Sequence, residues 1–301
     1  MSSLSSKNLA AWTLRDRPFQ WGQQTYLMGV LNVTPDSFSD GGQFNSLESA
    51  LNQAQKMVTS GADILDIGGQ STRPNAEEVT LAEELDRVIP IIQALRRNPD
   101  FSQVPISIDT TRATVANAAI AAGADLINDI SSGTFDAEMF PTVAKLGVPI
   151  ALMHSRGTPK TMQTLTDYQD LIREIVEFLD LRIRVAIAAG IDRHQIIIDP
   201  GIGFAKKQAQ NLEILRQLPA FQVLGCPILV GVSRKSFIGH IISQPDPQKR
   251  AWGTAAACVS AIVGGTDILR VHDVSEMHDV CRVADAIWRA SAPLNAQGNM
   301  G

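Results

Sequence analysis

Two aspartates, an asparagine, a lysine, an arginine and a histidine recur in this chain at one kind of place, the end of a short apolar run. Asp109 closes Ser107-Ile108-Asp109, Asn128 closes Leu126-Ile127-Asn128 and Asp199 closes Ile196-Ile197-Ile198-Asp199. Lys235 follows Val232-Ser233-Arg234, and Arg270 and His272 sit in Leu269-Arg270-Val271-His272-Asp273. Carboxylates and a carboxamide suit a heterocycle that carries several N–H donors and acceptors. The cations suit phosphate oxygens. Strand alternation puts Arg270 and His272 on one face with Val271 opposite, and it turns Asp129 away from the side that Asn128 occupies. Each residue also has a plainer role open to it. Asp109, which precedes a threonine pair and a helical pattern, and Asp199 are both placed to cap helices; Lys235 is placed as a solvated charge and His272 as a structural histidine.

Three loops add to this set. Asn32 to Gly42 is polar, with Pro35, Asp36, Asp40 and two glycines, yet it contains Phe38, a side chain able to close over an aromatic ligand. Ser71-Thr72-Arg73-Pro74 offers a hydroxyl and a guanidinium for phosphate, or simply a surface arginine before a turn. Asp199-Pro200-Gly201-Ile202-Gly203-Phe204 has glycines at i and i+2, too few for a dinucleotide-binding turn, and brings a second aromatic residue, Phe204. Nothing matches a metalloprotease helix, a Cys/His nucleophile set or a Walker loop.

The elements that must position these groups follow from periodicity. Apolar β-rich runs near 26–31, 63–67, 105–109, 125–128, 148–153, 195–199, 227–232 and 267–271 alternate with amphipathic stripes at 47–60, 80–97, 112–122, 136–146, 166–189, 208–218, 252–264 and 275–291. Repeated βα units predict a parallel (β/α)8 TIM barrel whose polar strand ends share the C-terminal rim, where barrels of this type place their active sites. Gly61-Ala62-Asp63, Gly123-Ala124-Asp125 and Gly265-Thr266-Asp267 repeat one αβ turn between helix and strand. Residues 1–24 form an N-terminal extension, with a hairpin around Arg15-Asp16-Arg17-Pro18 closing the barrel bottom. Residues 25–292 make the barrel, and 293–301 a frayed tail.

The chain has 301 residues, suited to one barrel with extensions, and a net charge of −5 without a basic, aromatic-interleaved stripe. Nucleic acid and membrane surfaces are therefore not expected partners. Cys226, Cys258 and Cys281 are scattered and lack a CxxC pair, which favours buried thiols in a reducing cytoplasm. The polar N-terminal stretch lacks the apolar core of a signal peptide, so no export is expected, and neither terminal extension is expected to hold a further domain.

From Gly29 to about Ala290 the chain resembles the dihydropteroate synthase family, through Asn32–Gly42, Gly68–Pro74, Asp199–Phe204, Ser233–Ser236 and Arg270–Asp273 in order and spacing. The resemblance implies condensation of 6-hydroxymethyl-7,8-dihydropterin diphosphate with 4-aminobenzoate, releasing diphosphate and 7,8-dihydropteroate. Asp109, Asn128 and Asp199 would bind the pterin ring, with Lys235 contacting it and Ile130 and Met153 packing on it. Arg270, His272 and Asn32 would hold diphosphate, Asn32 through Mg²⁺, with Thr72 and Arg73 on diphosphate or ordering the loop. Asp40 would order the first two loops, and Phe38, Pro74, Phe204 and Ser236 would form the aminobenzoate pocket. A homodimer through helices opposite the mouth is implied as well. The chain departs from many relatives at Gln70 (glutamate), Asn75 (glycine) and Ala205 (glycine, before the lysine at 206). A pterin-dependent methyltransferase and a non-catalytic pterin-binding paralogue are the competing readings.

Overall fold

Burial on both faces turns the eight apolar runs into the wall of a ring. The computed structural model describes residues 9–33, 43–71 and 78–289, with the side chains of 43–46 outside that description. A hairpin, β1 (Trp12–Leu14) and β2 (Arg17–Phe19), precedes eight parallel strands: β3 (Tyr26–Asn32), β4 (Ile64–Gly68), β5 (Ile106–Asp109), β6 (Leu126–Asp129), β7 (Ile150–Met153), β8 (Ile196–Asp199), β9 (Leu229–Val230) and β10 (Ile268–Val271). They pair in the order β8-β7-β6-β5-β4-β3-β10-β9, and a parallel bridge between Ile198 and Ile228 links the two ends. Around them lie α1 (Gln43–Thr59), α2 (Leu81–Arg97), α3 (Ala113–Ala122), α4 (Met139–Leu146), α5 (Leu171–Ala188), α6 (Gln208–Arg216), α7 (Ser236–Ile241), α8 (Ala251–Val263) and α9 (Val274–Trp288). The result is a (β/α)8 barrel.

Alternation sorts each strand. Leu27, Leu31, Leu65, Ile67, Ile106 and Ile108 join the outer core under the helices. Met28, Ile64, Leu126, Ala151, Ile197, Leu229 and Ile268 form a separate apolar cluster with Phe19, Trp21 and Tyr26, which closes the interior from below. The hairpin is tied across that end: Trp12 Nε1 donates to the His194 carbonyl at 2.5 Å, and Arg15 Nε meets Asp125 at 2.8 Å. Above the apolar layer the interior side of the strands becomes polar.

The repeated αβ turn has a physical purpose. Asp63 at the entry of β4 accepts the Leu27 N–H of β3 at 2.7 Å, Asp125 before β6 accepts the Ile106 N–H of β5 at 2.8 Å, and Asp267 before β10 accepts the Ile228 N–H ahead of β9 at 2.8 Å. Gln195 makes the equivalent tie for β7 and β8 by donating to the Gly147 carbonyl at 2.7 Å. Each turn thus clasps one strand to its predecessor. At Gly123 the backbone sits at φ +116°, and a Cβ there would lie 2.6 Å from Arg96 Cγ, so the repeat needs glycine.

Some boundaries differ from the periodic reading. β9 keeps only Leu229–Val230 of the 227–232 run; at its start Pro227 has no N–H to give the ladder and Ile228 makes only the bridge to Ile198. The short helix α7 is additional; two turns are too few to register as a stripe. α5 starts at Leu171 rather than 166, where the Asp170 carboxylate accepts the Arg173 N–H at 3.1 Å. Residues 1–8, 34–42, 72–77 and 290–301 lie outside the described residues, and with them Phe38, Asp40, Thr72, Arg73, Pro74, Asn75 and the C-terminal tail.

Candidate active site

Backbone register assembles the rim. Asn32 of β3 pairs with Gly68 of β4, Gly68 with Asp109 of β5, and Asp109 with Asn128 of β6, while Met153 of β7 pairs with Asp199 of β8. Asp109 and Asp199 are each 7 % exposed and Asn128 4 %, so all three are buried at the strand ends. Neither aspartate caps a helix. The first N–H of α3 is taken by Asp136 at 2.8 Å, and Asp199 Oδ1 accepts the Gly201 N–H at 2.7 Å, well before α6. Asp129 faces outward and is consumed by the Ser131 and Gly133 N–H groups at 2.8 and 2.6 Å.

Arg270 reaches from β10 across the interior, with Nε 2.6 Å from Asp66 Oδ2 and Nη2 2.7 Å from Asp109 Oδ2. Asp66 also accepts from Asn128 Nδ2 at 3.3 Å. Burial works against the Arg270 charge, but the carboxylates of Asp66 and Asp109 outweigh it and raise its pKa further. Burial lifts the Asp109 carboxyl to about 7, with Arg270 pulling the other way. Asp199 is likewise lifted to about 6 by burial, opposed by the Gly201 N–H and Lys235. Burial and then Arg270 press the Lys235 ammonium down to about 8, against Asp199 and Asp109. The floor therefore holds carboxylates and cations whose charges a bound ligand can readily reset.

The wall above this floor is apolar. Ile130, Met153, Met162, Phe204 and Ala205 form one cluster, and the Lys235 ammonium lies 4.3 Å from the Phe204 ring centroid. Lys235 is placed by its neighbour: Arg234, at φ +60°, binds both oxygens of Asp273 and gives its N–H to Thr254 Oγ1 at 3.1 Å, while Arg250 holds its carbonyl at 2.9 Å. On β10's exit, His272 meets the Ser233 hydroxyl through both its N–H, at 3.1 Å, and its Nδ1, at 3.0 Å. Asn32 is half-buried at the end of β3, and Ser236 is exposed at the start of α7.

The structure thus brings Asp109, Asn128, Asp199, Lys235 and Arg270 into one floor, with Ile130, Met153 and Phe204 in an adjoining wall. Sequence reading missed Asp66 and Met162. Asp66 had a signal, since it shares the inward phase of Ile64 and Gly68 on β4. Met162 lies in a short 3-10 turn after β7 and had none. The loops carrying Phe38, Asp40, Thr72, Arg73 and Pro74 are outside the described residues.

Comparison with known proteins agrees with this geometry. The model of the family described as pterin binding enzyme matches residues 28–272. A dihydropteroate synthase from Synechocystis sp. is 60 % identical over 271 residues, covering 90 % of this chain and 93 % of the relative. The crystal structure of a Clostridium difficile dihydropteroate synthase in the presence of pteroic acid superposes with a TM-score of 0.84 at 44 % identity, covering 90 % of this chain and 99 % of that one. A Xanthomonas albilineans dihydropteroate synthase with 4-aminobenzoic acid gives a TM-score of 0.84 at 39 % identity, covering 95 % and 98 %. With a matching family model, a fold shared along nearly its whole length and the polar floor in place, the chain belongs to the pterin-binding enzymes and, among them, to the dihydropteroate synthases.

Proposed function

We propose that the barrel condenses 6-hydroxymethyl-7,8-dihydropterin diphosphate with 4-aminobenzoate to give 7,8-dihydropteroate and diphosphate, the step that makes the pteroate skeleton of folate. The observation that carries the reading is the buried floor of Asp109, Asn128 and Asp199 with Arg270 lying across it. A pterin ring offers N–H donors to the carboxylates and acceptors to Asn128 and Lys235, while Ile130 and Met153 pack on its faces. The bond from the pterin methylene to the diphosphate oxygen breaks with its electron pair leaving on oxygen, and the aryl amine nitrogen bonds to the carbon and then loses a proton. Such a substitution develops positive charge on the pterin, which Asp109 and Asp199 stabilise, and negative charge on the leaving group, which Arg270 and His272 stabilise. The amine is already nucleophilic, so the Phe204 and Ser236 side of the mouth need only position it.

Mg²⁺ fits the donor chemistry at Asn32. A hard cation that keeps its waters and takes substrate phosphate oxygens needs only one or two protein oxygens, and the Asn32 amide supplies one. Bound there, it would offset charge on the diphosphate. Thr72 and Arg73 would add to that site, and Phe38, Asp40 and Pro74 to the aminobenzoate side. The protein is a homodimer, supported by Trp252 at 88 % exposure on α8 with Val283 and Ile287 exposed on α9. It works in the cytoplasm, supported by three buried free thiols.

Single-turnover release of diphosphate, measured with both substrates and with each alone, tests the synthase. Arg270→Ala should slow it more than it weakens ground-state pterin binding. Methyl transfer from methyltetrahydrofolate to a corrinoid acceptor, with no diphosphate release, would replace this reading by the methyltransferase.

A further inference from the structure

Behind Phe204 the chain from Asp199 to Lys206 winds into a tight coil, with Gly201, Gly203 and Ala205 at φ +71°, +86° and +51°. Lys206, 3 % exposed, turns its ammonium into the middle of that coil. Nζ lies 2.9 Å from the Gly201 carbonyl, 2.8 Å from the Phe204 carbonyl and 3.0 Å from His154 Nδ1. An ammonium has three hydrogens, and these three acceptors take them, the His154 carbonyl standing further off at 3.5 Å. His154 must then accept through Nδ1; burial first, and then Lys206 and Arg156, hold its imidazole neutral with a pKa down to about 2. The ring is fixed edge-on against Phe178 at 4.9 Å.

A buried lysine is costly, since burial pushes its own pKa down to about 7 against the pull of Asp199. Packing alone would be served by a methionine. The contacts of the coil indicate what the charge secures. Gly201 is clamped from three sides: Lys206 and the Phe204 N–H, at 3.1 Å, share its carbonyl, Asp199 takes its N–H, and its Cα presses on the His154 backbone, where a Cβ would sit 1.9 Å from the carbonyl oxygen. Phe204, whose carbonyl the lysine holds, presents its ring to Lys235. The next carbonyl, that of Ala205, is held by the Tyr168 hydroxyl at 3.0 Å. One ammonium thus governs the peptide that orients the Asp199 carboxylate and the residue that forms the wall.

We propose that Lys206 is a positioning residue for both substrates, fixing the 199–206 coil so that Asp199 is aimed at the pterin and the Phe204 ring lines the aminobenzoate side. The assignment of those two substrates rests on the synthase reading above. Lys206 touches neither of them, and it acts through Gly201 and Phe204.

The test is Lys206→Met, which keeps the volume and removes the charge. Pterin dissociation constant by calorimetry, aminobenzoate KM, kcat and thermal midpoint are measured beside wild type. The expected result is a rise of about tenfold in both the pterin constant and the KM, the scale of one lost charged hydrogen bond, with kcat at saturation changed less. A lysine that only supports the fold would lower the midpoint and leave both constants at wild-type values, and that result overturns the proposal. If the methionine variant does not fold, His154→Met removes one of the three acceptors and should shift both constants in the same direction by roughly threefold; unchanged constants there overturn it equally. Wild type that releases no diphosphate with both substrates would defeat the synthase reading instead, while the calorimetric comparison of wild type and Lys206→Met would still decide whether the lysine aims Asp199.

Discussion

Arg270 Nε and Asp66 Oδ2 meet at 2.6 Å across the barrel interior, and no part of the aspartate is exposed. The other oxygen, Asp66 Oδ1, has no hydrogen-bond partner among the described residues, so the guanidinium is the main compensation for a fully buried charge. Asp66→Asn should therefore lower folding stability by about 3 kcal/mol, the usual scale for removing one member of a buried pair. It should also weaken pterin binding, because Arg270 loses one of the two carboxylates that lay it over the floor. Urea unfolding and calorimetry check both; an unchanged unfolding midpoint would contradict the role given to Asp66.

The two floor aspartates should respond differently to the same substitution. Asp199 receives the Gly201 N–H, which an asparagine oxygen also accepts, so Asp199→Asn should cost little stability while weakening pterin binding by roughly 1.5–3 kcal/mol. Asp109→Asn should lose the same affinity and also move the melting point, since it removes a buried carboxylate paired with Arg270. Side-by-side melts and pterin titrations separate the pair. Equal melting points for the two variants would count against the ion-pair argument.

Pterin affinity should peak in a narrow pH range. As pH falls through about 7 and then about 6, Asp109 and Asp199 take protons and cease to be charged acceptors. As it rises through about 8, Lys235 loses its proton. Stability moves oppositely on the acid side. The folded values of the two acids lie above their unfolded values of about 4, so the stability they contribute is complete below about pH 4 and is lost as pH rises through the folded values. Calorimetry and melts from about pH 5 to about pH 9 test both limbs. A flat affinity profile would exclude these groups from the pterin contact.

Ala205 occupies the left-handed region at φ +51°, which costs a residue with a Cβ roughly 1–2 kcal/mol. Its methyl is buried beside Phe204 and Met162, a gain of about 0.8 kcal/mol, and alanine also restricts the unfolded chain. These effects nearly cancel, so Ala205→Gly should change stability by less than about 1 kcal/mol. Ala205→Val, β-branched where φ is positive, should be destabilised by more than about 2 kcal/mol. Urea midpoints of the two variants decide the point, and a glycine variant that unfolds readily would argue against the strain.

Trp252→Glu tests the dimer, since it puts a charge on the most exposed large apolar side chain of α8. Sedimentation should find wild type as a dimer and the variant shifted to monomer, with its fold unchanged by circular dichroism. A variant that sediments like wild type would move the interface elsewhere.

The barrel was legible in the sequence because a fully buried parallel strand needs an uninterrupted apolar run, and because the polar residue ending each run marks the rim. Parity then placed Asn128 and Arg270 inward and Asp129 outward. What parity offered for Asp66 went unused, because an aspartate inside an apolar run carries no pattern that names its partner, here an arginine 204 positions away in the chain. Met162 and the α7 turn belong to short irregular segments where no period accumulates. The caging of Lys206 was equally hidden, since it depends on carbonyl directions that the residue types around it do not encode.

Four of the clasps at the barrel bottom couple β3 with β4, β5 with β6, β7 with β8 and β9 with β10, while Arg193 on the Leu224 carbonyl and the Gly22 N–H on Asp267 tie neighbouring couples. A chain severed in the turn between α2 and β5, near Pro99–Phe101, leaves every couple whole on one fragment or the other. A chain severed at Gly61 parts Asp63 from the Leu27 N–H that it holds, and at Gly123 it parts Asp125 from Ile106. Reassembly from two separately produced halves should therefore succeed at the first cut and falter at the other two, making the couple of strands, rather than the single βα repeat, the smallest exchangeable part of this barrel.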